Sequence, residues 1–168
     1  GEVVEVRATT AAVERALWGY LLDLDLVDRW TMSECAPDDL VFSVVADPRA
    51  ARVTSRYDEQ WMRILDVDAF LAARAFTAGP PPVAVSVHDA RYPDNCGTWS
   101  IGGSAGARAD AQPELVTDIT TLSAAAMGAV SWWELVASGR AEELVPGAAA
   151  RADALFAVRP LSFCGSHF

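Results

Sequence analysis

Residues 83–101 read VAVSVHDARYPDNCGTWSI. Val83, Val85 and Val87 alternate with Ala84, Ser86 and His88, the period of two expected of a strand with one face buried and the other half-exposed. Tyr92-Pro93-Asp94-Asn95 has turn chemistry: proline presets φ, and Asp and Asn side chains bond back to their own backbone. Gly97 to Ile101 then predicts the partner strand.

Upstream, Gly79 to Pro82 separates this strand from a helix predicted to start at Asp66 as N-cap, with Val67, Phe70 and Leu71 facing inward. Trp61 to Leu65 predicts a further strand. Downstream, Ala107 to Ala111 and Leu115 to Ile119 flank Gln112-Pro113-Glu114 and complete a predicted meander. Gly102-Gly103-Ser104-Ala105-Gly106 follows a strand and precedes no convincing helix, so it reads as a flexible turn and not as a phosphate loop. The last fifty residues turn helical. Thr120 or Thr121 can cap a helix through Met127, ended by Gly128; Ser131 can cap one through Val136, ended by Gly139; Pro146-Gly147 precedes a final helix with Ala152, Leu155 and Phe156, and Pro160 stops it. A helix, then antiparallel strands, then helices describes an α+β domain with helices on one face of a sheet.

The segment before it is different. Val3 to Arg7 predicts a short strand, and Thr9 or Thr10 caps a helix whose apolar positions are Val13, Leu17, Tyr20, Leu21 and Leu24. Asp38 to Val45 reads as a second strand entry and Asp47-Pro48 as a turn. Arg49 to Gln60 is polar without an apolar face, which places the domain boundary after residue 57. One helix with two or three strands cannot bury both faces of a sheet, so residues 1–57 read as an incomplete domain preceding residues 58–168.

All 13 basic residues are arginine, the formal net charge is −10, and 52% of residues are hydrophobic. A chain of this composition can pack a core. The missing lysine reads as codon bias of a GC-rich genome. The charge disfavours nucleic acid, whose phosphates demand a basic surface, and suits cationic partners instead. No run approaches the roughly 20 apolar residues of a membrane helix, and the first residues do not form a signal peptide. The expectation is a cytoplasmic protein with no nucleic-acid or membrane partner. Cys35, Cys96 and Cys164 are odd in number and widely spaced, which suggests reduced thiols; with only His88 and His167 beside them, no metal site is expected.

WMRILDVDAFLAARAF, VSVHDARYPDNCGTWSI, DITTLSAAAMGAVSWWELVASGRAEEL and ARADALFAVRPLSFCGSHF stand in this order along the chain. In order and spacing they resemble the C-terminal region of Eis-type (enhanced intracellular survival) N-acetyltransferases of the GNAT superfamily. Trp61, Arg63, Asp66 and Val67 match the family's W-x-R-x-x-D-V opening, Ala124 to Gly128 its small-residue helix, Ser138-Gly139-Arg140 its A-G-R-like element, and Phe168 its terminal phenylalanine. Residues 1–57 resemble the close of the family's central GNAT-like domain, including a D-P-R turn at Asp47 to Arg49.

The resemblance implies a sterol-carrier-protein-like fold for residues 58–168, a homo-oligomer, and a parent enzyme that binds acetyl-CoA in a first GNAT region outside this segment; the isolated segment would be inactive. It also implies that the main-chain carboxylate of Phe168 is the general base that takes a proton from the attacking amine. The competing reading of Phe168 is an ordinary frayed terminus. His167 departs from the acidic penultimate residue associated with the family, and reads either as a partner in proton transfer or as a solvent-facing histidine. Asp58 and Glu59 at the junction would either draw an amine toward an acidic cleft or be solvated linker. The implied substrate is an aminoglycoside-like or other polyamine. Two other functions compete: a sterol- or lipid-binding module, which an apolar tunnel between sheet and helices would betray, and a purely architectural domain.

Overall fold

The structure, a computed structural model, describes residues 1–57, 60–103 and 105–165. They fall into two compact units: Gly1–Trp61 with residues 163–165, and Met62–Ser162.

The first unit holds β1 (Glu2–Val3), α1 (Ala11–Leu22), β2 (Thr31–Met32) and α2 (Val41–Val44), with β1 and β2 paired in parallel. Thr10 caps α1 by accepting the Val13 N–H. Asp38 to Val45 is not the expected strand. The Asp39 carboxylate accepts both the Val41 N–H at 2.8 Å and Trp18 Nε1–H at 3.0 Å, bonds that turn the chain into α2. Trp18, 2% exposed, is the one buried apolar side chain among the described residues of this unit. Of the helix's apolar stripe, Tyr20 is 66% and Val13 46% exposed, so α1 turns Trp18 inward and leaves much of the stripe uncovered within the unit.

The second unit begins with an extended segment and α3 (Val67–Ala73), capped by Asp66 through the Ala69 N–H. The expected strand at Trp61 to Leu65 has no strand partner among the described residues. Its backbone is held by side chains: the Ile64 N–H donates to Ser123 Oγ at 3.1 Å, and Asn95 Nδ2 donates to the Leu65 carbonyl at 3.0 Å. There follow β3 (Val83–His88), a 3₁₀ turn (Pro93–Asn95), β4 (Gly97–Gly102), β5 (Ala105–Arg108), β6 (Leu115–Asp118), α4 (Ile119–Ala125), α5 (Trp132–Ala137), β7 (Ala141–Glu143) and α6 (Ala148–Phe156).

The strand order is β5-β4-β3-β6-β7, with β3 and β6 parallel and every other pair antiparallel. The predicted meander is therefore corrected at β6, which does not pair with β5 but crosses to the free side of β3. Glu114 steers it there: its N–H donates to the Ala84 carbonyl at 2.8 Å while its carboxylate accepts the Ala84 N–H at 3.0 Å. The cap of α4 is Asp118, not Thr120 or Thr121; its Oδ1 accepts the Thr121 N–H at 2.7 Å. Ser131 and Glu134 form the full capping box of α5.

Helices lie on one face of this sheet, the α+β arrangement expected. Val83, Val85, Trp99, Ile101 and Leu115 point into it and are fully buried with Leu71, Leu122, Trp132, Leu135 and Leu155 from the helices. Gly106 lets α3 lie directly on β5, since a Cβ there would stand 2.9 Å from Leu71 Cβ. Arg74, the C-cap of α3, donates from Nε to the Ala126 carbonyl at the end of α4 and from Nη2 to the Phe156 carbonyl at the end of α6, both at 2.9 Å. Its guanidinium lies 4.8 Å and 4.6 Å from the Phe76 and Phe156 ring centres. Burial pushes its pKa below the usual arginine value.

Replacing Arg74 by Ala is expected to lower unfolding free energy by about 2–3 kcal/mol, the worth of charge-assisted bonds to carbonyls left unpaired. Arg74→Lys should recover only part of it, because an ammonium cannot span both carbonyls as a planar fork does. Urea denaturation of the three proteins checks both statements.

Candidate functional site

The four residues singled out from the sequence, Phe168, His167, Asp58 and Glu59, lie outside the described residues. The structure instead brings together side chains from the sheet face that carries no helix.

Strand pairing sets them in rows. Thr98, Ser86, Val116 and Glu142 occupy one row across β4, β3, β6 and β7. Continuing the same registers by one step beyond Val87↔Gly97 and Thr117↔Ala141, the next row on this face is Cys96, His88, Asp118 and Arg140, with His88↔Asp118 itself a register pair. Cys96 Sγ is 3.8 Å from His88 Nδ1. His88, Asp118 and Arg140 are exposed and Cys96 is half-buried. His88, Asp118 and Arg140 border an open cleft of about 740 Å³ together with Val116, Glu142 and Glu143; Cys96 lies beside His88, outside its lining.

The row is held from behind by a polar network at the end of β3. Asp89 is buried; its carboxylate receives Arg63 Nη2 at 2.7 Å, Asn95 Nδ2 at 3.0 Å, and the N–H groups of Arg91 and Tyr92 at 2.9 and 3.2 Å. Asn95 Oδ1 in turn accepts the Val67 N–H at 3.0 Å. Arg63, Asp66 and Val67 of the W-x-R-x-x-D-V stretch thus serve to fasten α3 and the segment before it to the β3–β4 connection. The Asp89 N–H donates to Cys96 Sγ at 3.3 Å. On the other side, Arg108 donates to the Cys96 and Asp94 carbonyls and to Asp68, whose carboxylate also accepts Trp99 Nε1–H. Gly97, at φ +155°, keeps that path clear: a Cβ would stand 2.6 Å from Arg108 Nη1.

The electrostatics follow from these contacts. Burial alone would raise the Asp89 carboxyl, but the bonds from Asn95, Arg91 and Tyr92 and the charge of Arg63 outweigh it and bring its pKa from 3.8 down to about 2. Asp68 is lowered mainly by its hydrogen bond from Arg108 and then by Trp99. Cys35, in the first unit, is pushed up to about 11 by burial and by the nearby Asp39 charge. Among the described residues, no cluster of three or more His, Cys, Asp or Glu could hold a metal, and no helix is long and apolar enough to cross a membrane.

Sequence reading missed this row. His88 stood out only as the exposed end of an alternating strand, Cys96 as one of three scattered thiols, and Arg140 as part of a family motif. Their shared face depends on β6 lying beside β3.

Because the Asp89 pKa is lower folded than unfolded, its stabilisation is fully present above about pH 4 and is lost as pH falls from 3.8 through about 2. Thermal midpoints measured across that window should fall more steeply for the wild type than for Asp89→Asn, which has no carboxylate to protonate.

Comparison with known proteins places both units. Residues 67–165 match the sterol carrier protein domain and residues 1–64 the acetyltransferase (GNAT) domain. An uncharacterized N-acetyltransferase of Streptomyces avermitilis is 38% identical over 165 residues, 96% of this chain and 39% of that protein. N-acetyltransferase Eis of Mycobacterium tuberculosis is 40% identical over 74 residues, 44% of this chain and 18% of that protein. The crystal structure of Eis1 from Mycobacterium abscessus superposes with a TM-score of 0.89 at 36% identity, covering 99% of this chain and 43% of that one. The chain spans about two-fifths of the length of the first curated relatives it matches.

Proposed function

The chain belongs to the sterol carrier protein domain family, in the form carried by Eis-like GNAT N-acetyltransferases, and from that premise we propose that it is the substrate-side, base-donating module of an acetyl-CoA-dependent N-acetyltransferase. The observation that carries this reading is the agreement of nearly the whole chain, both units included, with Eis1 at a TM-score of 0.89. Residues 1–57 are then the remnant of a central GNAT-like domain and residues 58–168 the sterol-carrier-like domain. The partners are the remaining GNAT region and further copies of the enzyme in a cytoplasmic homo-oligomer.

The acceptor is an amine, an aminoglycoside-like or other polyamine, whose positive charge suits a net charge of −10. An ammonium has no lone pair with which to attack a thioester, so a base must take its proton; the Phe168 carboxylate is assigned that role. His167, Asp58 and Glu59 are assigned to holding the cation. A terminal carboxyl is a weak base at its ordinary pKa of roughly 3.5, and requires desolvation or a relaying water to act. Acetyl-CoA is assigned to a site outside this segment. Gly102 and Gly103 connect β4 to β5 and precede no helix, so they do not form the N-terminal cradle that a pyrophosphate needs.

The alternative, a sterol- or lipid-binding module, calls for an apolar space between sheet and helices. That space is occupied by Trp99, Trp132, Leu122 and Leu155, each wholly buried.

In the full enzyme, deleting Phe168 moves the carboxylate back by about 3.5 Å, and amidating the terminus removes its charge. Each should lower kcat for a small amine by on the order of 10² to 10⁴, while Phe168→Leu, which keeps the carboxylate, should do less. Near-normal turnover in both would exclude the terminus as base. For the isolated chain, calorimetry should detect no micromolar binding of acetyl-CoA.

A further inference from the structure

Each of the three cysteines has its own surroundings. Cys35 is held protonated by burial and Asp39, and Cys164 is half-buried in the tail. Cys96, directly before β4, stands beside a histidine, with Sγ 3.8 Å from His88 Nδ1 and 3.5 Å from the Asp89 carbonyl oxygen, and receives the Asp89 N–H at 3.3 Å. Its backbone is fixed by the bond from Arg108 to its carbonyl at 3.0 Å. His88 opens onto the cleft of about 740 Å³, and Asp118 and Arg140 continue the row across the next two strands.

A thiol needs two things to act as a nucleophile: an adjacent group to take its proton and space for an electrophile to approach. His88, the last residue of β3, supplies the first; for the second, Cys96, directly before β4, is half-buried and keeps part of its surface open. We propose that Cys96 and His88 form an acyl-accepting thiol site on the open sheet face, with a small acyl thioester as the donor.

In the transfer, the Cys96 S–H proton passes to His88 Nδ1 as Sγ attacks the thioester carbonyl. The new Sγ–acyl bond forms, the donor's acyl–sulfur bond breaks, and the imidazolium returns the proton to the departing thiolate. Nothing is oxidised or reduced, and the products are S-acylated Cys96 and a free thiol. The Asp89 N–H, directed at Sγ, supports negative charge on sulfur during the attack.

The choice of a thioester rests on the acyl-transfer reading above, so the probe is one that bypasses it: S-acetyl-N-acetylcysteamine, which carries the thioester without a nucleotide. The chain is incubated with this donor near neutral pH, and acetylation of each cysteine is followed by peptide mass spectrometry. Cys96 is expected to acetylate at least about tenfold faster than Cys35 or Cys164, the low end of what a positioned base contributes. His88→Ala and His88→Gln should each remove that advantage, and added imidazole should restore it in His88→Ala, which a structural role for the ring would not produce. Circular dichroism confirms that the variants remain folded. Equal labelling of the three cysteines, or an undiminished Cys96 rate in both His88 variants, overturns the proposal. Those outcomes leave the role of Phe168 untouched, since that is read from amine turnover in the full enzyme.

Discussion

Three helix ends meet at one guanidinium. Arg74 closes α3 as its C-cap and bonds to the last carbonyls of α4 and α6, in a slot walled by Phe76 and Phe156. Helix C-termini carry unsatisfied carbonyls and partial negative charge, and a half-buried cation with a planar fork of donors answers both at once. The helical layer above the sheet depends on this junction. Once α3, α4 and α6 are tied together there, their apolar sides share one core with Val83, Val85, Trp99 and Leu115, and that face of the sheet is shut.

The consequence falls on the opposite face. A sheet whose helices all lie on one side keeps the other free for polar and reactive groups, and strand pleating then delivers them in rows. His88 and Asp118 are paired across β3 and β6, about 4.8 Å apart, and Cys96 and Arg140 flank them from just before β4 and β7, on four separate pieces of chain. Behind them, the buried Asp89 gathers four donors and fixes the β3–β4 connection, so the positions of Cys96 and His88 are set by hydrogen bonds from Arg63, Asn95 and Arg108 and not by the loop itself.

Much of the second unit could be read from its residues. The alternation of Val83 to His88, the Asp66 and Ser131 caps and the Pro-Asp-Asn turn are local signals, and local chemistry was enough to fix them. What failed was non-local. Nothing in residues 107–119 tells which edge β6 will join, since the deciding bonds run from Glu114 to Ala84. Ala141–Glu143 is three residues long with two acids, below the length at which alternation means anything. Asp38 to Val45 has the composition of a strand, but Asp39 bonds forward to Val41 and across to Trp18. The open-face row was hidden for the same reason as β6, because the reading of its members depends on a register that only the crossover creates. Phe168, His167, Asp58 and Glu59 were reached through family resemblance, a different kind of signal from pattern.

The placement of β6 also bears on the order in which the molecule assembles. The β3–β4–β5 hairpins join neighbours in sequence and close short loops, so they can zip early at little entropic cost. The parallel β3–β6 pair must wait until the chain has passed through both hairpins and returned to the other side of β3. Until then β3 presents an unsatisfied valine-rich edge, the kind of template on which a second chain can pair by mistake. In the finished fold Glu114 bonds to both the amide and the carbonyl of Ala84, so the residue that sets the register also satisfies the start of that edge.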